Sequence, residues 1–313
     1  MFDVKWIREN SDTFDASLKR RGISPKAAAL GELDVRRRTL IAETQELRGA
    51  RNQASKQIGT AKKNSEGAEQ LVKQVVALKE RLRARESEIR EIEHDIEEFL
   101  LQLPNLPDDE VPDGVDETSN VEVRRVGKPV AFDFTTKQHF ELGEALGQMN
   151  FDAAARMAGA RFVILSSELA RLERALATFM LDIHIERHGY QEISPPYMVR
   201  SAALTGTGQL PKFANDLFRT TDDRWLIPTA EVPLTNLVSE QILDESVLPL
   251  RVTAHTPCFR AEAGAAGKDT KGMIRVHQFS KVEMVSITTP GNSDDELERM
   301  TNSAETVLKE LKL

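Results

Sequence analysis

The sequence predicts an α+β protein, a long antiparallel helical hairpin followed by a domain of mixed strands and helices. From Leu71 the positions Leu71, Val75, Leu78, Leu82, Arg85, Ile89, Ile92, Ile96, Phe99 and Leu103 step alternately by four and three, and nine of these ten are apolar. That is the a/d seam of a heptad helix. Upstream, Leu33, Leu40, Leu47, Ala54 and Ala61 recur every seven residues as a thinner matching stripe. After Pro104, Pro107 and Pro112 the pattern changes to short strand-like and helical runs. Helices followed by a mixed segment fit two layers rather than one repeated unit.

Each element follows in order. KKNSEG, residues 62–67, supplies Asn, Ser and Gly between the two heptad stripes and reads as the break of the hairpin. At about 1.5 Å per residue the second helix reaches about 50 Å. The prolines of LPNLPDDEVPDG end it. The domain limits expected are 1–103 for the arm, 104–117 for a Pro-rich acidic linker and 118–313 for the mixed domain. VEVRRVGKPV and FDF (121–130 and 132–134) read as short strands, and residues 139–162 as a helical stretch with a glycine break. Residues 166–189 read as a long amphipathic helix opened by serine. YQEISPPYMV (190–199) reads as one strand with two prolines, which bars a fully bonded central position. WLIPTAEVPLTNLVSEQIL turns from strand to helix, and the run from Asp294 to Leu313 is a last helix.

Composition narrows the function classes. With 313 residues the chain can bury two sizeable cores, and 40% apolar with 29% charged residues suits a soluble protein. A formal net charge of −8 excludes uniform coating by nucleic acid, so any RNA contact must come from a local patch. The single cysteine, Cys258, permits no internal disulfide and lies in a strand-like run, which makes it a small buried side chain rather than a nucleophile. The N-terminus lacks the apolar core of a signal peptide, and no stretch is long enough to span a membrane. The expected location is the cytoplasm.

The arm does carry a local patch. Residues 48–85 hold ten Lys or Arg and three acids, a balance of +7, whereas residues 86–117 hold one Arg and thirteen acids, a balance of −12. A solvated coiled coil with charges paired across helices carries similar residues. The separation of sign along the axis, and the absence of acids between Gly49 and Asn64, favour a polyanion-binding end. The candidate contacts are Arg48, Arg51, Lys56, Lys62 and Lys63. Arg85, on the seam itself, reads as a register device.

The strongest chemical signal lies between Thr256 and Val285. TPCFRAEAG, a loop AAGKDTKGM and IRVHQFSKVEMV place Arg260, Glu262, Arg275 and Glu283 in stretches that otherwise read as strand. Alternation puts Arg260 with Glu262 on one side of the first strand, and Arg275, Phe279 and Glu283 on one side of the second. Such a face suits phosphate, which arginine forks bind, a purine, which a ring stacks on, and an ammonium, which a carboxylate captures. Surface salt bridges would also produce it.

These runs resemble motif 2 of the class II aminoacyl-tRNA synthetases, in the version found in the seryl-tRNA synthetases. ERHGYQEISPPYMV, with Pro195 and Pro196, is similar to motif 1, which builds a homodimer interface, and PTAE (228–231) to the loop that closes on the amino acid. By itself PTAE is also a common helix start, with Thr229 as cap. GTGQLPKF (206–213) is family-like but lacks the ending of a phosphate-cradling P-loop. The resemblance implies a class II antiparallel-sheet catalytic domain behind a tRNA-gripping arm, and a ligase that activates L-serine with ATP and transfers it to tRNA(Ser) and tRNA(Sec). It assigns Arg260, Glu262 and Arg275 to catalysis. It places serine against Thr229, Ala230, Glu231 and Glu283. ATP falls to Arg260, Ala261, Glu262, Arg275, Val276 and Phe279, with Arg260 on the α-phosphate, Glu262 on the adenine amino group, Phe279 under the ring and Arg275 at the distal phosphates. His277 reads as structural.

The sequence departs from the family in one respect. No Gly-x-Gly-x-x-x-Arg motif 3 is found, the nearest late glycine being Gly291. With it go the carboxylate that the family uses for Mg²⁺ and the remaining serine ligands, so no residue is assigned to a metal. The domain is therefore expected to be incomplete at its C-terminus. The alternative to a full ligase is a catalytically impaired tRNA-binding fragment or relative. An armless enzyme that loads a carrier protein is disfavoured by the hairpin, and a plain coiled-coil oligomer by the TAE and Arg-Glu pattern. Serine-dependent ATP–pyrophosphate exchange by residues 1–313 is expected to be weak or absent, and robust exchange would overturn that expectation.

Overall fold

In a computed structural model, residues 2–63, 68–114, 116–264, 267 and 271–313 are described, with only the backbone for Lys62 and Lys63. The chain divides into two compact units, residues 1–128 and 129–313.

In the first unit, α1 (Val4–Glu9) and α2 (Ser11–Arg20) precede the hairpin of α3 (Ala27–Lys63) and α4 (Glu69–Leu101). No capping side chain is adjacent to the start of α3. Asp15 supplies one from α2, its carboxylate accepting from Lys26 N at 2.7 Å and Ala27 N at 3.0 Å. The antiparallel pairing shows in Leu47 packed with Leu78 and Leu82, and Leu30 and Leu40 clustered with Ile92, Ile96 and Leu100. All ten positions of the expected seam are buried or half-buried. Helix α3 runs on through Lys63, so Lys62 and Lys63 are not in the break; the rest of that expected break, residues 64–67, lies outside the described residues.

The sequence pattern did not expose α1 and α2. Phe14 and Leu18 from α2 and Ile7 from α1 close the open end of the hairpin core. A buried polar site sits beside it: Asp34, 1% exposed, takes Arg8 and Arg37 at 2.7 Å each. The Pro-rich segment is tied to α2 by Arg20, which donates to the Asp113 carboxylate at 2.8 Å, to Asp108 O at 3.2 Å and to Val111 O.

In the second unit, α5 (His139–Ala145), β1 (Met149–Asn150), α6 (Phe151–Ala158), β2 (Ile164–Leu165) and α7 (Ser167–Glu186) come first. They are followed by β3 (Gln191–Glu192), β4 (Met198–Val199), α8 (Ser201–Gly206), β5 (Trp225–Leu226), α9 (Glu231–Thr235), β6 (Leu250–Phe259), β7 (Gln278–Ile287) and α10 (Ser293–Leu311). The main sheet has the order β3-β6-β7, with β6 and β7 antiparallel over ten pairs and β3 parallel to β6. Its core joins Val252 and Ala254 of β6 and Val285 of β7 to Ala230 and Leu234 at α9.

Two expectations are corrected here. Residues 121–134 form no strand: they alternate apolar and polar, but among the described residues no ladder partner meets them, and Val123 is 94% exposed. Alternation specifies a strand only where a neighbouring strand meets its hydrogen bonds. Residues 190–199 are two strands rather than one, because Pro195 and Pro196 interrupt bonding; β3 pairs with β6 and β4 with β5. The stretch 139–162 has its expected glycine break, at Gly147 (φ +68°), with a short strand added between the two helices.

Behind the sheet, Glu296 receives Arg251 in a two-point bond at 2.7 Å and 2.7 Å, and Arg299 at 3.0 Å. Hydrogen bonding to Arg251 holds the Glu296 carboxyl down at about 2, against an ordinary 4.5. Burial, with His188 beside it, holds His184 down at about 4 from 6.5. The unfolded chain therefore takes up a proton at His184 that the folded chain refuses, and stability falls as pH drops from 6.5 toward 4. The stabilisation at Glu296 is present above 4.5 and lost toward 2. Urea unfolding against pH is expected to show both losses; His184→Gln should flatten the upper one and Glu296→Gln the lower.

Candidate functional site

The site grows from the open end of the β6–β7 ladder. Phe259 pairs with Gln278 as the last ladder pair, and Arg260 N extends the pattern with a bond to His277 O at 2.9 Å. Arg260, Glu262 and Arg275 thus lie just past the strands, not within them as expected; only Phe279 and Glu283 stand in the ladder. The reason is local. Glu262 adopts φ +52°, a left-handed conformation that no strand residue takes, and Asp216 captures the departing backbone. Asp216 O accepts from Ala261 N at 2.8 Å, and its carboxylate accepts from Ala263 N at 2.9 Å.

A cavity of about 580 Å³ opens there, and Thr229, Glu231, Arg260, Glu262 and Arg275 of the expected residues line it. Gln209, Phe213, Asp216 and Lys281 line it too. Of the expected charged groups, Glu231, Arg260, Glu262 and Arg275 come together at this hollow, whereas Glu283 is not among its lining residues.

Several charges in the site are paired. Arg275 Nη1 donates to Glu262 Oε2 at 2.8 Å. The Arg260 guanidinium lies over the Phe279 ring, 5.1 Å from its centroid, and its Nε donates to Pro228 O at 3.3 Å. Thr229 Oγ1 donates to Glu283 Oε2 at 2.7 Å and accepts from Lys281 Nζ at 2.8 Å, while Lys281 also pairs with Glu283. Glu231 N donates to Thr229 Oγ1 at 3.2 Å, so Thr229 meets a free N–H at the start of α9 although the N-cap position itself is Ala230, one residue later than expected. Burial, and then Glu283, raise the Glu231 carboxyl above its ordinary range, with Lys281 opposing.

The remaining expected residues serve as frame. Ala230 and Val276 are buried, and Ala261 is held by its backbone. His277 Nδ1 donates to Arg260 O at 2.9 Å and the ring packs edge-on to Phe218, a structural role. Cys258 is fully buried and its thiol is pushed up by burial, which suits packing rather than nucleophilic chemistry. Phe279 is not among the residues lining the site cavity; it borders another of about 360 Å³ between α7 and the sheet. Among the described residues no group of three His, Cys, Asp or Glu side chains converges.

On the arm, Arg48 pairs with Glu86 at 2.8 Å, and Arg85 with Glu43 at 3.0 Å and Glu88 at 2.8 Å. Arg51 bonds Asn52, and Lys56 is exposed. The side chains of Lys62 and Lys63 lie outside the described residues.

Residues 1–107 match the model of the seryl-tRNA synthetase N-terminal domain, and residues 215–313 the tRNA synthetase class II core domain (G, H, P, S and T). The serine–tRNA ligase of Paramagnetospirillum magneticum is 58% identical over 313 residues, covering 100% of this chain and 74% of that protein. The chain belongs to the seryl-tRNA synthetase family, ATP-dependent class II aminoacyl-tRNA ligases. The serine–tRNA ligase of Sinorhizobium medicae is likewise 58% identical over 315 residues, with 74% of its length covered. Among solved structures, the Pyrococcus horikoshii seryl-tRNA synthetase complexed with ATP superposes with a TM-score of 0.88 at 36% identity, covering 99% of this chain and 75% of that one. A cytoplasmic serine–tRNA ligase from Naegleria fowleri in complex with AMP gives 0.81 at 26% identity, covering 98% and 75%.

Against that family setting, the sequence reading missed Lys281 and Asp216. Lys281 was legible: it falls between Phe279 and Glu283 at strand spacing and so shares their face. Asp216 carried no local signal, since its bonds reach 45 residues or more along the chain. Lys281 is expected to restrain the proton affinity of Glu231. In Lys281→Met, carboxyl ¹³C NMR should show Glu231 titrating at higher pH than in the parent; an unmoved midpoint would show that the ammonium does not act on it.

Proposed function

We propose that the cavity beyond β6 and β7 binds ATP and L-serine side by side, and that the helical arm binds tRNA(Ser). The observation that carries this is the convergence of Arg260, Glu262, Arg275, Thr229 and Glu231 on one hollow. Arg260 neutralises the α-phosphate and Arg275 the distal phosphates. Glu262 accepts from the adenine amino group. The base stacks on Phe279, with Ala261 and Val276 as backbone neighbours. Thr229, Ala230, Glu231 and Glu283 hold the serine ammonium and hydroxyl. A pocket that hydrogen-bonds a hydroxyl discriminates strongly against amino acids without one, because its polar groups are then left unpaired.

The chemistry needs no side-chain nucleophile. A serine carboxylate oxygen attacks the α-phosphorus in line, a C–O–P link forms, the bond to the β-phosphate oxygen breaks, and pyrophosphate leaves with the electron pair. The terminal ribose hydroxyl of tRNA then attacks the acyl carbon, and AMP departs. Positioning and charge neutralisation carry the rate. Mg²⁺ belongs to this proposal only as a companion of ATP. Charging of tRNA(Sec), assembly as a homodimer and a cytoplasmic location rest on the family resemblance; among the described residues no helix is long and apolar enough to cross a membrane.

Two measurements test the two halves separately. Equilibrium binding of ATP and of a non-hydrolysable seryl-adenylate analogue is expected, with Arg260→Ala weakening the analogue by about 100-fold. No binding by the parent chain would overturn the site assignment. For the arm, log affinity for tRNA(Ser) should fall steeply with log salt. Neutralising Lys56, Lys62 and Lys63 to Gln should shallow the slope by about one per lost phosphate contact. An unchanged slope would make these three lysines bystanders.

A further inference from the structure

Arg275 reaches the cavity from a segment that has not yet entered β7, and its backbone is held from outside the sheet. Three bonds do this at alternate residues. Met273 N donates to His139 Nε2 at 2.9 Å, Arg161 Nη1 donates to Arg275 O at 3.2 Å, and His277 N donates to Arg161 O at 2.9 Å. Residues 273, 275 and 277 therefore present one edge to His139 and Arg161, as a strand presents its edge to a partner. His139 opens α5, while Arg161 sits between α6 and β2 with φ +62°. A non-glycine residue held in that conformation is strained, and such strain persists only where surrounding contacts fix it.

The approach at His139 is close. Gly272 has φ +82°, and a Cβ there would stand 2.3 Å from His139 Nε2 and 3.0 Å from Phe140 Cδ1. Only glycine lets the ring reach the Met273 amide. Because Nε2 accepts, the imidazole acts as an acceptor in its neutral form with its proton on Nδ1. On the other side, Arg275 Nη1 is fixed by Glu262 Oε2 at 2.8 Å. The guanidinium is thus set from two directions, by Glu262 at its head and by the clamp on its main chain.

We propose that His139, aided by Arg161, is a positioning residue for ATP binding that acts through Arg275. Its imidazole fixes the backbone entering β7 so that the Arg275 guanidinium stands at the distal-phosphate end of the cavity before ATP arrives. Pre-ordering of this kind lowers the cost of immobilising the loop on binding. The inference rests on the ATP site proposed above.

The test is a double-mutant cycle on ATP affinity, measured by calorimetry on the full 313-residue chain. His139→Ala is expected to raise the ATP Kd about tenfold, and His139→Gln, which keeps an acceptor, to recover most of the loss. Arg275→Ala should weaken ATP on its own, and His139→Ala should add little in that background. Thermal melts of each variant separate lost folding from lost binding. If His139→Ala leaves the Kd unchanged while Arg275→Ala raises it, the clamp does not position the arginine and the inference is overturned, with the site assignment intact. If the two losses simply add, His139 acts elsewhere and the inference also fails. If neither variant nor the parent binds ATP, the site assignment itself fails.

Discussion

The register of β6 on β7 is the constraint from which the site follows. Ten consecutive pairs, from Leu250 with Ile287 to Phe259 with Gln278, fix which β7 side chains share a face with Lys281, the ladder residue that lines the cavity. Because strand side chains alternate, a slip by one residue would turn Phe279, Lys281 and Glu283 to the opposite face and bring Gln278, Ser280 and Val282 to this one. The register is held from behind by apolar burial. Val252 and Ala254 of β6, with Val285 of β7, belong to the core that also contains Ala230 and Leu234. Thr253 Oγ1 adds a bond to Glu283 O at 2.7 Å, tying a core position to the residue whose carboxylate accepts from Thr229.

Given that register, the second problem is electrostatic. A half-buried carboxylate or guanidinium without a partner costs several kcal/mol, so a polar cavity folds only if its charges are matched internally. Here Glu262 has Arg275, Glu283 has Lys281 and Thr229, and Arg260 has the Phe279 ring and a carbonyl. A ligand of matching charge then exchanges partners rather than desolvating naked ions. In the proposed complex, an ammonium reaching Glu283 would take the place of Lys281, and phosphate oxygens reaching Arg275 that of Glu262. This lowers the cost of binding and leaves a ligand of the wrong charge pattern without equivalents to exchange.

How much was legible depended on the distance over which each cause acts. The heptad seam of α4 and its stripe on α3 were readable because helix periodicity is local, and all the seam positions are buried or half-buried. The charged residues around Arg260 and Glu283 were readable as a pattern, but the turn at Glu262 that takes Arg260 and Glu262 off the ladder was not, since Asp216 imposes it from another segment. His139 against Met273 is separated by 134 residues, beyond any local rule. The misread strands at 121–134 have the opposite cause: a correct local alternation with no partner to complete it.

The arm illustrates why charge counts need geometry before they speak of binding. Where the basic and acidic halves meet, Arg48 is committed to Glu86, and Arg85 to Glu43 and Glu88, so these cations neutralise neighbours on the facing or the same helix. Hydrogen bonding from Arg48 lowers the Glu86 carboxyl pKa, as expected for such a pair in water. Exposed pairs of this kind contribute little to stability, but they cancel field. Farther toward the basic end, the segment around Lys56 has no acid between Gly49 and Asn64 to cancel it. In the sequence, cations gather beyond Arg48 at Arg51, Lys56, Lys62 and Lys63, with Glu69 and Glu80 following on α4. In a chain of net charge −8, that local excess of cations is what the proposed binding of tRNA by the arm rests on.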